Sequence, residues 1–168
     1  MDISLIISFG VLIGCLIGLS WFAGSDAPYV PTNMDNIRKI LKLAGVKKGK
    51  KFYELGSGDG RVVFAATKLV ADAFGIEQSW LRVLYSKCRA YLLHLKRANF
   101  VHRNIFSRSY EDADIIYIFL LHKGVKKLEG KLRKELKKGS IVITQTYHFK
   151  TWKPFKMVGD FWLYSKVV

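Results

Sequence analysis

The chain has 168 residues, with 28 Lys and Arg against 13 Asp and Glu and a formal net charge of +15. That length suits one domain, and so basic a balance points to anionic partners such as lipid headgroups or nucleic acid. Its two cysteines, Cys15 in an apolar run and Cys88 in an amphipathic one, argue against a disulfide-stapled secreted scaffold.

Ile3 to Phe22 carry no charged side chain and are mostly Ile, Leu, Val, Gly and Phe. Such a run rises about 30 Å as a helix, enough to cross a hydrocarbon core. A cleaved signal peptide would start with basic residues and end on a small-x-small site. Here only Asp2 precedes the run, and Ser20-Trp21-Phe22-Ala23 is a poor cleavage site. A buried helix is the third reading, but Asp2 and Asp26 bracket the run. The sequence therefore predicts an uncleaved transmembrane helix, with an anchor over residues 1–25 and a second domain over 26–168. All basic residues follow it, so the positive-inside rule places that domain on the cytoplasmic side of a single-pass membrane protein.

Next comes Pro28-Tyr29-Val30-Pro31-Thr32-Asn33-Met34-Asp35, kept extended by its prolines. Thr32 and Asp35 fit a capping box for a helix with Ile37, Ile40, Leu41 and Ala44 on one face and Gly45 at its end. The segment is either a plain linker with a cap or a stiff strap across the mouth of a ligand site.

Lys51 to Leu55 reads as a strand, Gly56-Ser57-Gly58-Asp59-Gly60 as a turn, and Arg61 as the start of a helix. Glycines at alternate positions let backbone turn sharply and approach a ligand. A plain strand-to-helix connection can use glycines too. The spacing is not the G-x-G-x-x-G of dinucleotide folds, and no P-loop Lys-Ser/Thr follows. Carboxylates crowd the turn, Glu54 before it and Asp59 within it, and would repel a pyrophosphate while welcoming an ammonium. Glu77 ends the next strand, Ala73 to Glu77, where an acid binds a ribose diol in doubly wound sheets. Amino acid plus ribose describes S-adenosylmethionine better than a nicotinamide or adenine nucleotide.

Further elements alternate: helices over Arg61–Ala71 and Ser79 to about Lys96, strands over Phe100–Phe106 and Asp114–Leu121, and a helix striped by Val125, Leu128, Leu132 and Leu136. Strands over Ser140–Thr146 and Phe161–Val168 complete the pattern. It implies a mostly parallel sheet covered on both faces, an α/β fold. Lys123 to Lys138 holds eight basic residues against two acids. That is a solvated helix face, or a surface for lipid headgroups or nucleic acid.

The residues also argue against several chemistries. The histidines lack metal-ligand spacing, and no G-x-S-x-G elbow exists. No proline stands near Tyr117 to Leu121, where base-amino methyltransferases carry an Asn/Asp-Pro-Pro-aromatic motif, and neither cysteine follows a proline as in cytosine C5 enzymes. Both points speak against nucleic acid as methyl acceptor. Methyl transfer from a sulfonium to a lysine needs mainly alignment, loss of the ammonium proton and a dry channel. Tyr29, Tyr147, Phe149 and Trp152 are candidates for its wall, or simply packed aromatics.

Taken together, Tyr29-Val30-Pro31-Thr32, Glu54 to Val63, Gly75-Ile76-Glu77-Gln78-Ser79-Trp80-Leu81, Asn104-Ile105-Phe106, Ile118-Phe119-Leu120 and Tyr147 to Pro154 resemble the ATP synthase c-subunit lysine N-methyltransferases and related small prokaryotic protein-lysine methyltransferases. The resemblance implies a Rossmann-like seven-strand class I methyltransferase sheet using S-adenosylmethionine and no metal. It implies cofactor contacts from Thr32, Glu54, Gly56, Ser57, Gly58, Asp59 and Gly60, ribose contacts from Glu77 beside Gln78, and adenine contacts from Asn104. Tyr29, Tyr147 and Trp152 would meet the substrate, a protein lysine expected in a membrane protein, with lipids met by the apolar N-terminus and the basic face. Relatives usually have a proline where this chain has Leu121-His122, and prolines within Tyr147 to Trp152, so the departures lie on the acceptor side.

Overall fold

The computed structural model describes residues 2–22 and 33–167. Tyr29 and Thr32 lie outside the described residues, and so do Val30 and Pro31 between them. The elements are α1 (Ile3–Phe22), α2 (Met34–Leu43), β1 (Lys51–Leu55), α3 (Arg61–Lys68), β2 (Asp72–Glu77), α4 (Trp80–Leu92), β3 (Ala98–His102), β4 (Ile115–Ile118), α5 (His122–Glu135), β5 (Ile141–Gln145), β6 (Lys156–Val158) and β7 (Phe161–Ser165).

α1 forms where the apolar run predicts a helix. Among the described residues, however, no helix is long and apolar enough to cross a membrane. This corrects the expected transmembrane anchor and the single-pass location. Part of α1 runs beside α4.

The sheet has seven strands in the order β3-β2-β1-β4-β5-β7-β6. β1 to β5 are parallel, whereas β7 runs antiparallel to β5 and to β6. The seven-strand Rossmann-like sheet of the resemblance is therefore present. β4 is buried along its whole length, as a parallel strand covered on both faces must be. On one face Phe52, Ile115, Tyr117 and Ile143 pack with residues of α2, α3 and α4. On the other, Tyr53, Ile116, Ile118 and Val142 pack with Val125, Leu128, Leu132 and Leu136 of α5 and the residue after it. Burying one such leucine contributes about 1.5–3 kcal/mol.

The second face is short of helices. Neither 103–114, between β3 and β4, nor 146–155, between β5 and β6, contains one. Carboxylates of α5 hold both connections in place. Glu135 accepts a hydrogen bond from the Tyr110 amide at 3.2 Å. Glu129 accepts from the Lys150, Thr151 and Trp152 amides at 2.9, 2.8 and 2.6 Å. Burial pushes the Glu129 carboxyl up, but these amides and the Thr151 hydroxyl outweigh it and leave it below the usual range.

Boundaries shift where local geometry decides. The cap of α2 is Asn33, whose side chain accepts from the Asp35 and Asn36 amides. α2 closes with Gly45 at φ +79° and a Val46 amide bond to the Leu41 carbonyl. α3 stops at Lys68, ahead of Val70 at φ +66°, and α4 at Leu92, ahead of His94 at φ +52°.

Candidate cofactor and acceptor site

The parallel strands end along one rim, and the glycine turn after β1 lies in its middle. Gly56, Gly58 and Gly60 all have positive φ, at +81°, +52° and +77°. Gly60 is also sterically required: a Cβ there would lie 2.5 Å from the Phe100 ring. At Gly58 a Cβ would meet nothing within 4 Å, so this glycine borders open space.

Two buried carboxylates shape the turn from behind. Glu77 accepts from the Gly58 amide through Oε2 and from the Gln78 and Ser79 amides through Oε1, each at 2.9 Å. A carboxylate has about four acceptor positions, so roughly one remains for a ligand hydroxyl. Glu54 accepts from the Val63 amide at 3.2 Å. Burial drives its carboxyl well above the usual range, partly offset by that amide and reinforced by Asp59 and Glu77. A cation beside Glu54 would relieve this. The Ser57 hydroxyl is buried with no hydrogen-bond partner among the described residues. Open space at Gly58, a carboxylate in need of a cation and an unsatisfied hydroxyl fit an amino-acid nucleoside.

Asp59 is turned toward basic residues: Arg61 binds both its oxygens, at 2.7 to 3.1 Å, and Arg89 lies 3.9 Å away. Gln78 is exposed, and its carbonyl meets His102 Nε2 at 2.8 Å. Asn104 opens the turn after β3, its Oδ1 accepting from the Phe106 amide at 2.9 Å. The structure thus gathers Glu54, Gly56 to Gly60, Glu77 and Gln78 around one turn, with Asn104 at the same rim.

The neighbouring half of the rim is formed by the ends of β4 and β5. Leu120 leans on the glycine turn, where a Cβ at Gly56 would come within 3.0 Å of it. α5 then begins at His122, whose ring meets Tyr147 edge to face with centroids 6.0 Å apart. Tyr147 follows Thr146, held at φ +65° with its amide on the Asp160 carbonyl at 2.8 Å. Gln145 secures this corner, bonded to the Tyr117 hydroxyl and, at 2.8 Å, to Asp160. Trp152 lies elsewhere. It stacks on Phe149 and donates from Nε1 to the carbonyl of Ser165, which pairs with Ile141 at the far end of β5. His122, Gln145, Asp160 and Glu129 escape sequence reasoning. Only His122 leaves a signal, as part of the Leu121-His122 pair where the resemblance leads one to expect a proline.

The profile of the family described as "ANTKMT methyltransferase domain" matches residues 54–156, from the acid before the glycine turn to the start of β6. The chain belongs to that family. It is 32% identical over 139 residues to a protein-lysine N-methyltransferase of Saccharolobus islandicus, covering 78% of this chain and 83% of that one. It is 30% identical over 134 residues to the ATP synthase c-subunit lysine N-methyltransferase of Homo sapiens, covering 79% of this chain but only 57% of that one. Among solved structures, an RNA methyltransferase from Salinibacter ruber in complex with S-adenosyl-L-homocysteine superposes with a TM-score of 0.78 at 28% identity, over 82% of this chain and 94% of the other. The ANTKMT-family chain is a class I methyltransferase of the protein-lysine kind, and S-adenosylmethionine is its cofactor.

Proposed function

We propose that the acceptor is a lysine side chain of a membrane-embedded protein, received between His122 and Tyr147, with the cofactor held between the Gly56–Gly60 turn and Glu77. The observation that carries this reading is the asymmetry of the rim. One half is a closed cradle of glycines and buried acids, and the other an exposed aromatic corner adjoining it. The name of the human relative, a methyltransferase of the ATP synthase c-subunit, supports the substrate class.

Bound S-adenosylmethionine supplies an activated methyl group on sulfur. The chain's own residues do the remaining work. Glu54 would hold the ammonium of the methionine end, Glu77 would take a ribose hydroxyl with its remaining acceptor position, and Asn104 would offer amide donors to the adenine. Glycine at 58 keeps the approach open. The target lysine enters beside Tyr147, whose ring excludes water from one side. It must lose a proton before its nitrogen has a lone pair for the methyl carbon. The exposed His122 imidazole is placed to accept that proton and pass it to solvent.

Tritiated cofactor and membrane-protein fractions test the reading. The label should appear as acid-stable methyl-lysine, and Tyr147→Ala should reduce it about tenfold while cofactor affinity stays within about twofold. Label in nuclease-sensitive material instead would overturn the assignment in favour of RNA.

A further inference from the structure

α5 displays a surface that methyl transfer itself does not use. Its apolar stripe is buried against the sheet, and both of its acids are engaged by the protein. Glu129 holds the 150–152 amides, while Glu135 pairs with Lys131 and the Tyr110 amide. The charged residues on the side facing solvent are therefore all basic: Lys123, Lys126, Lys127, Arg133 and Lys134, all exposed. Their spacing of three, four, ten and eleven residues from Lys123 puts them on one helix face. Among the described residues none of the five forms an ion pair with a carboxylate; Arg133 reaches the Thr151 hydroxyl at 3.2 Å and Lys127 lies 4.3 Å above the Phe106 ring. Like charges three and four residues apart repel, and an anionic partner lying along the face would relieve that repulsion.

The position of this face gives it meaning. α5 starts at His122, on the acceptor half of the rim, and runs away from it, so the first cations stand beside the place proposed for the target lysine. A substrate chain extended at about 3.3 Å per residue would bring roughly the first three residues flanking the lysine alongside the first two turns of α5, which rise about 11 Å. We infer that the exposed face of α5 is a docking surface for an acidic segment flanking the target lysine in the protein substrate. This rests on the protein-lysine reading. It goes beyond it by stating the charge of the substrate around the modified residue.

The experiment uses the full chain loaded with S-adenosylhomocysteine and two short fluorescent peptides, one with a central lysine flanked by aspartates and the other with a lysine flanked by serines. Anisotropy should show the acidic peptide binding about tenfold tighter, with the advantage shrinking as salt rises from about 50 to 200 mM. K123E/K126E should abolish the preference without changing affinity for the serine peptide or for S-adenosylhomocysteine, and K123Q/K126Q should fall between. Equal binding of the two peptides, or a preference that survives charge reversal, overturns the docking surface. A short RNA or phosphatidylserine vesicles displacing the acidic peptide and binding more tightly at about 150 mM salt overturns it in favour of that partner. Methyl-lysine formation from both peptides, followed in parallel, separates the two levels. Turnover without preference leaves the activity and removes the surface. Preference without any methyl-lysine leaves the surface and removes the lysine reading.

Discussion

Between β1 and β2 the rim holds Glu54 and Glu77 buried, fixed by four backbone amides; between β4 and β5 it holds His122 and Tyr147 at the surface, in contact with one another. The first half is preorganised, because each carboxylate is locked before a ligand arrives and little ordering entropy is left to lose. The second half is open, so a macromolecular acceptor can complete the wall. One side serves a single small molecule of fixed shape, and the other a partner that brings its own surface.

Gly60→Ala is the harshest way to break the cradle. Its Cβ would lie 2.5 Å from the Phe100 ring at a backbone φ of +77°. Strain and overpacking together should cost about 2–4 kcal/mol, read as a lowered denaturation midpoint in urea.

Glu129→Ala attacks the support of the acceptor half. It strips three amides of their acceptor and should cost about 2–3 kcal/mol. Because this carboxyl lies below its ordinary 4.5 in the folded protein, its contribution is present above that pH and lost as pH falls through the lowered value. Thermal melts of Glu129→Gln should therefore vary less than wild type across this acid range.

Glu54→Gln sharpens the comparison by separating folding from binding. The Glu54 carboxyl is raised by burial, so its contribution to folded stability is present below 4.5 and lost as pH climbs through the raised value. Without cofactor, Glu54→Gln should melt a few degrees above wild type near pH 8, and the gap should close in acid. Calorimetry should show the same variant binding S-adenosylmethionine about tenfold or more weakly.

Tyr147→Phe is the mildest. It keeps the ring against His122, so cofactor affinity and stability should stay put and KM for the protein acceptor should change less than about twofold. A large effect would assign the hydroxyl a direct role.

Locally encoded features were legible. The alternate glycines, the acid at the tip of β2 and the apolar stripe of α5 announce themselves within a few residues, and all stand in the structure as the pattern implies. What depended on distance was not. Glu129 reads as one charge on a basic helix, and its three amide partners lie 21 to 23 residues away. β6 has three residues, all exposed, and so shows no alternation to detect. Thr146 and Val70 adopt positive φ with β-branched side chains, which no local propensity predicts. The charge-free run at Ile3 misled in the other direction, because it marks a helix without fixing what that helix does.

A single helix carries both clasps on the sheet face it covers, Glu135 for 103–114 and Glu129 for 146–155. Loops so far apart in sequence then share one opening event. When α5 loosens, the Tyr110 amide and those of Lys150, Thr151 and Trp152 are released together, so they should exchange with deuterium at a common rate set by α5, while amides of β1 and β4 remain protected far longer.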